Sequence, residues 1–149
     1  MMKIYITIIV CIINWGCTQK DEFYYRNSFN KNREAYHLMD EKVLNLFDKQ
    51  DSLFKFRIGL TGKRFTQDPF INDSIAFRFY GLKLEPEDKN LISNLMNELS
   101  LEVVLFYRDS TKYIFGGAHK DTIINYKNRH TQPKESVLID TNTFLIFEH

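Results

Sequence analysis

Beyond residue 100 the chain breaks into short runs of branched and aromatic residues, and the connections between them are too brief for a parallel crossover. Residues 101–108, 112–115, 121–127, 137–140 and 144–147 are rich in Val, Ile, Leu, Phe and Tyr, the side chains that suit a pleated, half-buried surface. Asp109-Ser110-Thr111, Gly116-Gly117 and Thr141-Asn142-Thr143 separate them with turn residues. A parallel return needs a dozen residues or more, so these neighbours pair antiparallel.

The first hundred residues add helices to that sheet. Over 33–49, Ala35, Leu38, Met39, Val43, Leu46 and Phe47 recur at three- and four-residue intervals, while Arg33, His37, Glu41, Asn45 and Asp48 look outward. That spacing predicts an amphipathic helix. Over 53–60, Phe54, Phe56, Ile58 and Leu60 alternate with Lys55, Arg57 and Gly59, which predicts a half-buried strand ended by Thr61-Gly62. A long connection over 61–74 follows, with turn signals at Asp68-Pro69 and Asn72-Asp73, and then a strand over 75–80 closed by Gly81. A second helix starts near Glu85-Pro86, with Glu87 and Asp88 favourable against its dipole and Leu91, Ile92, Leu95, Met96 and Leu99 as its stripe. Only around this helix is a parallel pair conceivable.

These elements define an α+β fold: a mostly antiparallel sheet of about six to seven strands with two amphipathic helices packed on one face. Helix, strands, helix and a run of antiparallel strands resembles the cystatin-like and nuclear-transport-factor-like folds, in which a helix lies in a curved sheet. The resemblance is in element order alone and implies no activity.

The amino terminus has a different grammar. Met1-Met2-Lys3 precedes an apolar run over 4–13, Gly16-Cys17 follows, and charge begins at Lys20-Asp21-Glu22. The apolar stretch is shorter than the roughly 20 residues a membrane span requires, and Asn14 and Trp15 do not suit an ordinary secretory cut between small residues. The arrangement resembles the bacterial lipoprotein signal, although Asn14 and Trp15 depart from the aliphatic and small residues usual there. The resemblance implies cleavage after Gly16, lipid on Cys17, and a place in the cell envelope at the outer membrane. Lys20, Asp21 and Glu22 resemble the short export tag of surface-displayed lipoproteins. The domain division expected is therefore a signal peptide over 1–16, a lipidated cysteine and polar tether over 17–32, and one α+β domain over 33–149. Phe23, Tyr24, Tyr25 and Phe29 in the tether either dock on the domain or sit at lipid headgroups.

This reading excludes several chemistries. Cys11 leaves with the leader and Cys17 is acylated, so no thiol remains for a disulfide, a thiolate metal site or a nucleophile. The 20 basic and 19 acidic residues lose only Lys3 with the leader, which brings the charge to balance and supplies no footprint for nucleic acid. No phosphate loop, H-E-x-x-H pair, dinucleotide fingerprint or calcium loop occurs, and neither a cofactor nor a metal is expected.

Four places are candidates for chemistry. His119 and Asp121 follow Gly116-Gly117 and share a face if extended, able to hold a metal or a substrate proton between them; a plain strand connection, with polar residues meeting water, is the reading preferred. His37 and Glu41, one turn apart, read as a solvated helix face. Asp109-Ser110-Thr111 reads as a hairpin turn without a base for the hydroxyls. The basic stretch over 127–134, with Lys127, Arg129, His130 and Lys134, reads as a surface bridge able to meet anionic headgroups or an acidic partner. The expectation is an envelope lipoprotein acting by binding, its partners the bilayer through Cys17 and an envelope protein. The alternatives are an immunity-type lipoprotein against a secreted toxin, and a small enzyme using His119 and Asp121.

Overall fold

Asp21 opens the fold rather than a tether. The structure, a computed structural model, describes residues 21–71, 74–75, 82–117, 120–128 and 131–147. At its start the Asp21 carboxylate accepts the Tyr24 backbone N–H at 2.9 Å and caps helix α1 (Glu22–Lys31). Glu22 in the first turn and Lys31 in the last complement the helix dipole. Asn32 links α1 directly to α2 (Arg33–Lys49), so the segment expected to be a tether is largely helical. Tyr25 and Phe29 are buried, and Phe23 and Tyr24 are exposed; the four rings divide evenly between docking on the domain and facing outward.

The strands are β1 (Leu53–Thr61), β2 (Arg64–Ile71), β3 (Ser74–Ile75), β4 (Leu101–Tyr107), β5 (Ser110–Phe115), β6 (Thr122–Tyr126), β7 (Ser136–Asp140) and β8 (Thr143–Ile146), with α3 (Pro86–Glu98) between β3 and β4. They form one eight-stranded sheet in the order β3-β2-β1-β4-β5-β6-β8-β7. Every pairing is antiparallel. The α+β class, the antiparallel sheet and the helices packed against it are as the sequence predicts, with a third helix and one more strand. No helix among the described residues is long and apolar enough to cross a membrane.

Two local readings change. The expected connection over 61–74 contains β2, which turns back from β1 at Gly62 with a left-handed φ of 57°. Pro69 hid it. A proline lacks the N–H a central strand needs, yet Pro69 pairs with Phe56 of β1, and β3 is described where it pairs with Phe70 and Ile71. The second change is at Phe54. A register shift between Leu53 and Lys55 breaks the alternation, so Leu53 is buried and Phe54 is half exposed. The strand expected over 75–80 is described only at Ser74–Ile75.

Register shows how the core is arranged. Ile58, Val104, Tyr113, Ile123 and Leu145 are successive cross-strand partners and are fully buried beneath the helices. Tyr36, Met39, Val43, Leu46 and Phe47 of α2 and Ile92 and Met96 of α3 cover them. A neighbouring row on the same face runs Phe56, Phe106, Thr111, Asn125, Thr143 and Asp140. It turns from apolar to polar as it passes from β4 to β5. The opposite face is mixed: Arg57 pairs with Asp68 at 3.3 Å, and Lys55 and Lys112 lie over the rings of Phe70 and Tyr107.

Candidate functional site

The polar half of that second row, roofed by α2, forms a groove. Thr111, Asn125, Thr143 and Asp140 lie on adjacent strands beneath the helix. A cavity of about 670 Å³ opens there between α2 and the ends of β6, β7 and β8. His37, Asp40, Glu41 and Leu44 line it from the helix, Asn125, Tyr126 and Lys127 from β6, and the stretch 140–143 from the hairpin opposite. Tyr126 donates its backbone N–H to the Asn142 carbonyl at 2.9 Å, which ties that hairpin to β6.

Asp40 is the centre of the site. Thr111 Oγ1 and Tyr113 Oη each donate to Asp40 Oδ1 at 2.8 Å, and Tyr113 Oη also lies 3.4 Å from the Tyr36 carbonyl. Burial pushes the Asp40 carboxyl above its ordinary value, while the two hydroxyl bonds and the charges of Lys127 and His37 pull the other way. Burial likewise raises the Tyr113 phenol, reinforced by the charge and hydrogen bond of Asp40. Lys127 is lowered by burial against the opposing pull of Asp40, Asp109 and Asp48. Its Nζ donates to the Tyr107 carbonyl at 3.1 Å and sits over the Phe47 ring.

The groove floor offers hydrogen-bonding groups to a visitor. Thr143 Oγ1 donates to Asn125 Oδ1 at 3.1 Å, leaving the Asn125 amide N–H groups for other partners. Asn142 Oδ1 is buried with no hydrogen-bond partner among the described residues. A buried acceptor without a donor calls for a ligand N–H, a hydroxyl or a bound water. Asn125 and Asn142 thus line the same groove as the exposed apolar side chain of Leu44.

The residues singled out by sequence fall in different places. His37 and Glu41 do lie on an exposed helix face, and that face borders the groove. Asp121 is buried and accepts the Tyr25 hydroxyl at 2.7 Å; its carboxylate pins α1 to the sheet. Ser110 and Thr111 belong to β5 rather than to a turn, and Ser110 donates to Asp109 Oδ1 at 3.0 Å. In the stretch 127–134, Gln132 and Ser136 close a local loop through Ser136 and Pro133 carbonyls. Glu22 pairs with Arg26 one turn on, so two of the three tag residues have places in α1. Gly16, Cys17, Lys20, His119, Arg129 and His130 lie outside the described residues.

Asp40, Asn125, Asp140, Asn142 and Thr143 are not among those sequence candidates. Asp40 did carry a signal: it stands four residues after Tyr36 and three before Val43, at the border of the buried stripe of α2. Among the described residues no group of three His, Cys, Asp or Glu side chains is placed to hold a metal. Comparison with protein families, with curated proteins and with solved structures finds no match for this chain.

Proposed function

We propose that this chain is a lipid-anchored protein of the cell envelope whose α+β domain works by binding, with the groove beside Asp40 as its recognition site. One observation carries the choice of binding over catalysis. The half-buried Asp40 and the buried Asp121 are both engaged by hydroxyl donors from the packed core: Asp40 by Thr111 and Tyr113, and Asp121 by Tyr25. Those hydroxyl bonds hold each carboxylate in place and occupy part of its accepting capacity, which suits a structural part in the fold. Asn142 Oδ1 has no hydrogen-bond partner among the described residues, and Asn125 lines the same groove, which suits recognition of a polar partner. Anchoring is supported by the Gly16-Cys17 junction behind a basic start and an apolar run.

Labelled palmitate should enter the wild-type protein in cells and vanish in Cys17→Ser. Labelling that persists in Cys17→Ser, or is absent from both, refutes the anchor. For the groove, a photo-crosslinking residue at Leu44 should give a discrete adduct in the envelope, and one at Phe54 on a different surface should not. Identical adducts from both positions refute the groove as the recognition site.

A further inference from the structure

The start of α1 and the groove belong to opposite ends of one strand. Asp121, immediately before β6, receives Tyr25 of α1, and Asn125, Tyr126 and Lys127 at the other end of β6 line the groove. Six residues of extended chain separate Asp121 from Lys127, about 20 Å at a strand's rise. Helix α1 follows the same direction. Tyr25 packs against Phe115 and Phe147, Arg26 donates to the Leu138 and Ile139 carbonyls, and Arg33 at the start of α2 reaches Asp140 at the groove. The amino-terminal end of α1 is thus the end far from the groove.

Covalent geometry brings that end to the bilayer. Only three residues separate Cys17 from Asp21, four steps along the chain and a reach of at most about 14 Å. The first turn of α1 presents Phe23, which at 70% exposure is the most exposed large apolar side chain among the described residues, with Tyr24 beside it at 44%. Tyr25 and Phe29 secure the same helix to the core, so this turn cannot swing away from the domain. Glu22 and Arg26 neutralise each other at its side. An aromatic pair of this kind suits the boundary between headgroups and acyl chains.

We infer that the first turn of α1 docks on the lipid interface through Phe23 and Tyr24, holding the domain with its groove directed away from the membrane. This rests on the proposed acylation of Cys17. It replaces a long, loosely oriented stalk with a short anchor and a fixed facing.

The sole tryptophan of the chain is Trp15, upstream of the expected cut, so a tryptophan placed in the mature protein is a clean reporter. Lipidated Phe23→Trp and Leu44→Trp proteins would be reconstituted separately in phosphatidylethanolamine–phosphatidylglycerol vesicles, with and without brominated acyl chains. The tryptophan at position 23 should emit at shorter wavelength than in detergent-free solution of the Cys17→Ser form, lose intensity with brominated lipid and resist aqueous iodide. The one at position 44 should show the reverse. If the protein floats with vesicles but position 23 is as open to iodide as position 44, the docking is wrong while the anchor stands. If the protein does not float and its mass shows an unmodified amino terminus, the anchor fails and the docking with it.

Discussion

Asp40 is the residue at which the core and the groove meet, and removing its carboxylate has a calculable cost. Asp40→Ala leaves the hydroxyls of Tyr113 and Thr111, residues 0% and 1% exposed, without their acceptor. An orphaned buried donor costs about 1–3 kcal/mol. Tyr113 falls toward the lower end because the Tyr36 carbonyl lies 3.4 Å away as a fallback. Together the loss is about 2–5 kcal/mol, which shifts a urea midpoint by roughly 1–3 M at the slope usual for small domains. Asp40→Asn keeps an acceptor oxygen for both hydroxyls and removes the desolvated charge, so it should stay within about 1 kcal/mol of wild type at neutral pH. Adding Tyr113→Phe and Thr111→Val to Asp40→Ala removes the orphaned donors and should recover part of the loss.

The sign of the pH effect follows from burial. The Asp40 carboxyl is held above its ordinary 3.8, so the native state binds a proton at a pH where the unfolded chain does not. Its contribution to stability is fully present below 3.8 and is lost as pH rises through the elevated native value. Stability of the wild type relative to Asp40→Asn should therefore increase as pH is lowered from neutral toward 3.8. Urea unfolding followed by circular dichroism at several pH values measures both effects. Equal costs for the alanine and asparagine variants, or a pH-independent difference between wild type and asparagine, would refute the reasoning.

Two further outcomes concern the fold. A chain trimmed to 33–149 loses Tyr25 and Phe29, both almost fully buried; at the usual value of burying such rings it should be about 4–6 kcal/mol less stable than a chain from Asp21, and an unchanged thermal midpoint would show that α1 is dispensable. Ser100 follows α3 with a left-handed φ of 58°, a conformation costly for any residue with a Cβ, so Ser100→Gly should raise stability by about 0.5–1 kcal/mol in the same denaturation assay.

The sequence by itself determined the helices over 33–49 and from Pro86, the antiparallel pairing of the last strands, and the α+β class. Those features depend on periodicity within one element and on connection lengths between neighbours, both written locally in the chain. The proposed junction at Cys17 rests on a local pattern too. Tertiary structure decided the rest. Phe23, Tyr24, Tyr25 and Phe29 are alike in sequence, and only the sheet beneath α1 separates the two buried rings from the two exposed ones. Pro69 argues locally against a strand, and only the pairing of β2 along β1 places it in one. The groove could be found in no single segment: Thr111, Asn125, Thr143 and Asp140 become neighbours through the registers of β5, β6, β8 and β7, and Asp40 meets them from a helix about seventy residues earlier than Thr111. Cross-strand register is a long-range property, set when the whole apolar face is buried at once, and the polar residues that share one row are carried into place by it.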